Sequence, residues 1–208
     1  MSSEPLFPMI ALARHRMATD GQGVTTLVAA RGCPLRCRYC LNPQSWQEGT
    51  RVREVTPAAL YEAVKVDDLY FRATNGGVTF GGGEPLTHAP FIRAFRDLCG
   101  DGWRLCAETS LAISRENLET AAQCLDEFIV DVKDTDPQVY RRYTGADNGA
   151  MLENLAALLK AVGPGRVRVR VPNIPGYNDP AGVARSVERL RAMGATRLDV
   201  FDYIVKPR

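Results

Sequence analysis

Short apolar runs alternate with amphipathic helical segments along almost the whole chain. The six runs predicted as strands are Val24–Ala30, Gly77–Phe80, Arg104–Glu108, Phe128–Val132, Arg166–Val171 and Arg197–Tyr203. Strands that alternate with helices favour a parallel α/β sheet with right-handed crossovers. A closed eight-strand barrel typically takes about 250 residues, and this chain has 208. We therefore expect a partial (β/α)6 TIM-like barrel that is open on one side.

Composition and charge argue against two classes of partner. The chain carries 26 basic and 24 acidic residues, a net charge of +2, so it has no basic footprint for nucleic acid. No apolar run approaches the roughly 20 residues of a membrane span, and the first five residues lack the charged region of a signal peptide. We therefore expect a cytoplasmic protein that binds neither nucleic acid nor membrane. Its cysteines would then stay reduced, and Cys99, Cys106 and Cys124 are assigned to the core or to element ends.

Three further cysteines lie within eight residues, directly after the first predicted strand. Cys33, Cys37 and Cys40 have the spacing C-x3-C-x2-C, and no fourth cysteine or histidine lies near enough in sequence to complete a set of four. A structural zinc site is closed by four protein ligands. A cubane iron–sulfur cluster can be held by thiolates, and three of them would leave one iron free for a substrate or cofactor. The alternatives are a zinc knuckle and three buried structural cysteines.

Polar and glycine-rich clusters follow the other predicted strands. In barrels of this kind the active site is built from the loops at the carboxyl ends of the strands. The residues that stand at or after those ends are Gly81–Gly83 with Glu84, Glu108 with Thr109 and Ser110, Asp131 with Lys133, Arg170, and Asp202 with Tyr203. The glycines allow the backbone to approach a ligand closely. Asp131 and Lys133 point to the same side of their strand, where they either bind a ligand or form a buried ion pair that orders the strand end.

The cysteine spacing, with Tyr39 before the last cysteine, resembles the radical SAM superfamily. The resemblance implies that residues 18–208 form a radical SAM partial-barrel domain, preceded by an N-terminal extension and lead-in at 1–17. It implies a 4Fe-4S cluster on Cys33, Cys37 and Cys40, whose unique iron binds S-adenosylmethionine (SAM) and whose electron cleaves SAM to a 5′-deoxyadenosyl radical. The turn Gly82-Gly83-Glu84 resembles the family motif that binds the amino group of SAM.

Within that superfamily the chain resembles the glycyl-radical enzyme activating enzymes over roughly residues 18–203. The segments that carry the resemblance are Asp20-Gly21-Gln22-Gly23, Cys40-Leu41-Asn42-Pro43-Gln44-Ser45-Trp46, Glu108-Thr109-Ser110, Asp131-Val132-Lys133, and Arg170 five residues before Pro175-Gly176. The resemblance implies that Glu108, Thr109 and Asp131 line a site for a monovalent cation, Na or K. It also implies that Tyr39, Lys133 and Arg170 contact SAM or its surroundings.

The chain departs from those enzymes at a few positions. Gln22 and Thr25 replace a proline and an arginine, Ser110 replaces an asparagine, and Tyr203 lies where a histidine usually follows the last strand. These departures fall on the substrate side and on the periphery of SAM rather than at the cysteines.

The leading hypothesis is an oxidoreductase of the activating-enzyme type that works under anaerobic conditions. Its radical would take a hydrogen atom from a glycine of a large glycyl radical enzyme, with a flavodoxin- or ferredoxin-type protein as reductant. One alternative is a radical SAM enzyme that modifies a small molecule or a peptide directly. The other is a non-catalytic iron–sulfur or zinc protein, which would not bind SAM.

Overall fold

A computed structural model describes residues 4–17 and 19–205 of the chain. Its eight strands form one sheet in the order β3-β1-β2-β4-β5-β6-β7-β8. The strands are β1 Phe7–Met17, β2 Val24–Ala30, β3 Arg53–Val55, β4 Gly77–Gly82, β5 Arg104–Thr109, β6 Glu127–Asp131, β7 Val167–Asn173 and β8 Arg197–Asp202. Strand β2 and strands β4 to β8 run parallel, and they correspond to the six predicted strands. The sheet does not close among the described residues, so the expected open partial barrel is confirmed.

Within the described residues, seven α-helices connect these strands. They are α1 Pro57–Val64, α2 Asp68–Thr74, α3 Ala89–Cys99, α4 Arg115–Cys124, α5 Pro137–Thr144, α6 Gly149–Val162 and α7 Pro180–Ala192. Thr56, Ser114, Asp136 and Asp179 each accept a hydrogen bond from a backbone N–H in the first turn of their helix, which satisfies a donor that has no partner within the helix. None of the helices in the described ranges has the length and apolar character to cross a membrane.

Two antiparallel strands extend the sheet beyond the predicted six. Strand β1 pairs with β2 from Met9 opposite Ala30 to Met17 opposite Val24, with two irregularities in register. The short strand β3 then pairs with the start of β1. Strand β1 lies within residues 1–17, the predicted lead-in, and the domain boundary at residue 17 stays a prediction.

The two faces of the sheet differ in character because side chains alternate along each strand. On the outer face, Val28, Phe80, Leu105, Phe128 and Val169 have no exposed surface and pack into one apolar cluster with residues of the helices. The inner face carries charged residues from β5, β6, β7 and β8, which form ion pairs with one another. The apolar core therefore lies between sheet and helices, and the inner face is left for polar chemistry.

The cysteines outside the three-cysteine segment lie where they were predicted. Cys106 and Cys124 are buried, and Cys99 is half-buried at the end of α3. Burial raises the pKa of the Cys99 thiol to about 11, so this group is neutral at physiological pH.

Candidate active site

A cavity of about 170 Å³ lies at the carboxyl ends of the parallel strands. Ten of the predicted site residues line it: Cys33, Cys37, Cys40, Gly82, Gly83, Glu108, Thr109, Asp131, Lys133 and Arg170. These residues come from the loop after β2 and from the ends of β4, β5, β6 and β7. The fold thus brings together side chains that are up to 137 positions apart in the sequence.

The segment from Cys33 to Cys40, called here the cysteine loop, is tied to the end of α5. The backbone N–H of Arg36 donates to the carbonyl of Thr144 at 2.8 Å, and that of Arg38 donates to the carbonyl of Tyr143 at 3.1 Å. The guanidinium of Arg36 reaches back to the Cys33 carbonyl at 2.5 Å. Burial raises the pKa of the Cys33 thiol to about 11. The free thiol is therefore protonated at neutral pH, and it loses that proton when it binds a metal.

The turn Gly82-Gly83-Glu84, called here the glycine turn, lies directly beside the cysteine loop. The N–H of Gly83 donates to the carbonyl of Ala30 at 3.0 Å, and the N–H of Glu84 donates to that of Gly32 at 2.8 Å. A Cβ atom added at Gly83 would stand only 2.0 Å from the Gly32 carbonyl oxygen. Gly82 has a φ of +88°, which residues with a Cβ atom rarely adopt. Glycine at both positions therefore lets the turn lie against the loop and present its backbone to the cavity.

Glu84 is predicted as a SAM contact, and its carboxylate is directed into the protein. The side chain has no exposed surface and is absent from the cavity wall. It accepts hydrogen bonds from the Thr109 hydroxyl at 2.7 Å, from the Ser110 hydroxyl at 2.6 Å and from the Ser110 N–H at 2.8 Å. Burial raises the pKa of Glu84, although these bonds act to lower it. Its carboxylate thus fastens the glycine turn to the end of β5.

Four alternating charges form a chain along the other side of the cavity. Arg170 Nη1 lies 3.0 Å from a carboxylate oxygen of Glu108, and Arg170 Nε lies 3.4 Å from Asp131. Lys133 Nζ lies 3.0 Å from the second oxygen of Asp131. Burial and the nearby charge of Asp131 raise the pKa of Glu108 to about 7. Although burial acts to raise the pKa of Asp131, Lys133 and Arg170 hold it below its usual value. Of the two carboxylates in this row of charges, Glu108 therefore gains a proton first as the pH falls.

Tyr39 and Tyr203 form a contact that the sequence pattern does not predict. The Tyr203 hydroxyl, just beyond β8, donates to the backbone carbonyl of Tyr39 at 2.5 Å. The ring of Tyr39 lies outside the cavity wall and packs edge-on against the rings of Tyr143 and Tyr177. In the sequence, Tyr203 is notable only because it lies where the similar enzymes usually have a histidine. No local pattern predicts a hydrogen bond between residues 164 positions apart. The curvature of the sheet therefore brings its last strand back to the cysteine loop.

The donors around the cavity fit a cluster held by three thiolates. Three cysteine side chains reach one cavity, and no other cysteine and no histidine from the described ranges lines it. No three His, Cys, Asp or Glu side chains among these residues are placed to share a single metal ion. The glycine turn and the cations Lys133 and Arg170 line the same cavity. A ligand with both an amino and a carboxylate group would find complementary partners there.

Residues 27–196 match the family model of the radical SAM superfamily. The chain belongs to the radical SAM superfamily. It is 33% identical over 167 residues to the pyruvate formate-lyase-activating enzyme of Staphylococcus aureus. That match covers 77% of this chain and 66% of the relative, so the chain spans just under two thirds of the length of the enzyme it resembles.

Solved structures of similar fold agree with the open partial barrel described above. A domain of the pyruvate-formate lyase-activating enzyme of Bacteroides vulgatus is 28% identical, with a TM-score of 0.54 over 62% of this chain and 81% of that domain. SuiB of Streptococcus suis, bound to its precursor peptide SuiA, is 15% identical with a TM-score of 0.63 over 88% of this chain and 41% of SuiB. A SAM-bound form of SuiB has a TM-score of 0.58 at 16% identity, over 83% of this chain and 37% of SuiB. These similarities agree with an open radical SAM barrel.

Proposed function

We propose that this protein is an activating enzyme that uses SAM to generate a radical on a glycine residue of a partner enzyme. Cys33, Cys37 and Cys40 would hold a 4Fe-4S cluster. When bound, the cluster and SAM supply a reductive cleavage that yields methionine and a 5′-deoxyadenosyl radical, which takes a hydrogen atom from the glycine Cα. The protein's own task is to bind, orient and shield these groups.

One observation carries the proposal: a single cavity is lined by the three cysteines, by the glycine turn and by two cationic side chains. The backbone of Gly82 and Gly83 is available to the amino group of SAM, and Glu84 keeps that backbone in place through its bonds to Thr109 and Ser110. Each part of the amino acid moiety of SAM thus has a partner of complementary charge or polarity.

Lys133 and Arg170 are assigned to the carboxylate side of SAM. Both cations already face Asp131, at 3.0 Å and 3.4 Å, and Arg170 also pairs with Glu108. This pairing keeps the cations in position before a ligand arrives, and a preorganised charge costs little to reorient. The monovalent cation at Glu108, Thr109 and Asp131 stays a prediction. Arg170 bridges Glu108 and Asp131 in the structure, so it occupies the place between the two carboxylates that would bind the cation.

The identity of the partner is inferred from the relatives. The similar enzymes are named for the activation of pyruvate formate-lyase, so a glycyl radical enzyme of that kind is the first candidate. The open side of the sheet leaves a path by which a segment of a large partner could reach the cavity. A flavodoxin- or ferredoxin-type reductant and a cytoplasmic location complete the proposal.

An EPR experiment tests the proposal. Anaerobically reconstituted protein, reduced and mixed with SAM and a pyruvate formate-lyase, is expected to give a glycyl radical signal on the partner. Cys37→Ser should abolish the signal because it removes a cluster ligand. Cys99→Ser is the matched control, since Cys99 lies at the end of α3 outside the cavity, and it should retain the signal. The proposal fails if no glycyl radical forms on any candidate partner while a small molecule is turned over instead.

A further inference from the structure

Ser45 is a buried hydroxyl in the cavity wall for which the described residues supply no hydrogen-bond partner. Its residue is 1% exposed, it lines the cavity, and no protein atom of those ranges accepts from or donates to its Oγ. A buried polar group without a partner is costly, and native proteins rarely leave one. A hydroxyl of this kind in a cavity wall indicates a ligand that completes its bonding.

The backbone of Ser45 is held from both sides. The Ser45 N–H donates to the carbonyl of Asn42 at 2.9 Å, and its own carbonyl accepts from the N–H of Gly32 at 2.7 Å. Ser45 ends a short 3-10 turn that begins at Pro43, which restricts the turn further. The backbone that carries the hydroxyl is thus fixed by the fold before any ligand binds.

The same backbone bonds show which segment Ser45 is attached to. Gly32 precedes Cys33 directly, so the bond between Ser45 and Gly32 places Ser45 beside the first cysteine of the loop. Lys133 follows β6 and Arg170 lies in β7, and both pair with Asp131 at the end of β6. Ser45 is therefore attached to the start of the cysteine loop, whereas the two cations come from other strand ends that line the same cavity.

We propose that Ser45 Oγ donates a hydrogen bond to a sulfur of the cluster held by Cys33, Cys37 and Cys40, and that this bond raises the reduction potential of the cluster. The inference rests on the cluster assigned under the proposed function. A cluster gains negative charge on reduction, so a donor to one of its sulfurs stabilises the reduced form more than the oxidised form. Ser45 is then a positioning and tuning residue that makes the electron transfer to the cluster easier.

An EPR-monitored redox titration of the reconstituted protein, without SAM, tests the inference. Ser45→Ala is expected to shift the midpoint potential of the cluster to a more negative value. Ser45→Thr keeps a hydroxyl on the same β-carbon and is expected to restore most of the wild-type potential. Iron content and the EPR signal of the reduced cluster are measured for all three proteins, so that a change in potential is separated from a loss of cluster.

Two results would overturn the inference. If S45A binds SAM more weakly while its cluster potential equals that of wild type, the hydroxyl serves SAM and not the cluster. If both quantities are unchanged, the hydroxyl is satisfied by water. Failure of wild type to assemble any cluster would refute the proposed function itself, and it is recognised from the iron content before the titration begins.

Stability without the cluster gives a check that does not depend on redox chemistry. Because Ser45 Oγ lacks a protein partner among the described residues, its removal should not destabilise the cluster-free protein, and S45A should unfold at the same or a higher temperature than wild type. A clearly lower melting temperature of cluster-free S45A would mean that the hydroxyl stabilises the protein itself, and this too would overturn the inference.

Discussion

Two carboxylates on opposite sides of the sheet, Asp67 and Glu108, are held in different ways. On the outer side, Asp67 has no exposed surface and is contacted by Arg14, by His15 at 2.9 Å and by the Thr26 hydroxyl at 3.1 Å. On the inner side, Glu108 shares the guanidinium of Arg170 with Asp131. The surplus of donors lowers the pKa of Asp67, whereas burial and a second carboxylate raise that of Glu108.

This difference corresponds to two roles of the carboxylates, one in stability and one at the candidate site. A fully compensated charge such as Asp67 joins β1 and β2 to the segment between α1 and α2, and it stabilises the native state. An incompletely compensated group such as Glu108 is poised to respond to a ligand or a proton, which is typical of functional sites. We therefore expect substitutions on the outer face to change stability and substitutions on the inner face to change chemistry or pH dependence.

The largest effect is expected in the outer core. Phe80 has no exposed surface and packs edge-on against Phe7 and Phe95, with ring centroids 5.8 Å apart in each pair. Phe80→Ala should lower the free energy of unfolding by about 4 kcal/mol because it leaves a cavity in a packed core. Chemical denaturation measures the change. The folded fraction should bind SAM as wild type does, and a loss of SAM affinity in folded protein would break the separation of the two faces.

The second effect is a pH dependence on the inner face. The Glu108 carboxyl has a pKa of about 7 in the fold against an ordinary 4.5, so the folded state binds its proton more tightly than the unfolded state does. The stability that this proton contributes is present below pH 4.5 and is lost as the pH rises through about 7. Relative to Glu108→Gln, the free energy of unfolding of wild type should fall by about 3 kcal/mol over that interval. Unfolding curves from pH 4 to 8 test this, and parallel curves for the two proteins would refute it.

The third effect has the opposite slope. Hydrogen bonds from Arg14, His15 and Thr26 lower the pKa of Asp67 below its usual 3.8, although burial acts against them. Its contribution to stability is therefore present above about pH 4 and is lost as the pH falls through the lowered value. Asp67→Asn should cost about 2 kcal/mol at pH 7, and the difference from wild type should shrink in acid. A difference that grows in acid would contradict this account of the outer face.

The smallest effect concerns the bond between the last strand and the cysteine loop. Tyr203→Phe removes only the hydroxyl that donates to the Tyr39 carbonyl. We expect a loss of about 1 kcal/mol in the free energy of unfolding and faster hydrogen exchange in the cysteine loop. Tyr61→Phe is the matched control, since it removes a tyrosine hydroxyl in α1, where the ring stacks on Trp103, and leaves the hydroxyl of Tyr203 in place. Unchanged exchange in Y203F would show that this bond does not order the loop.

The parts of the fold that the sequence predicts are those encoded by local patterns. The strands β2 and β4 to β8 are apolar or alternating runs bounded by caps and glycines, and the structure places them within a few residues of their predicted bounds. Strand β1 is not predicted because Arg14, His15 and Arg16 interrupt its apolar pattern. Arg14 and His15 pair with Asp67, which sequence alone does not place nearby. Strand β3 has only three residues, too few for a period to show.

The candidate site likewise contains residues that local spacing predicts and residues whose roles depend on long-range contacts. The three cysteines, Gly82, Gly83, Asp131 and Lys133 stand out from their spacing, and the fold brings them to one cavity. The direction of the Glu84 carboxylate depends on Thr109 and Ser110, 25 and 26 positions away. The hydroxyl of Ser45 is notable only because it is buried without a partner in the described residues. Long-range pairing and burial decide these roles, and no local pattern reports them.

The most direct test of the central claim is a titration of SAM into the reduced, reconstituted protein, followed by the EPR spectrum of its cluster. If the three cysteines leave one iron free in the cavity beside Gly82 and Gly83, SAM should change the spectrum and saturate at one equivalent per cluster. Lys133→Met should require a higher SAM concentration for the same change, because it removes a cation from the wall. A normal cluster spectrum that SAM leaves unaltered would contradict the account.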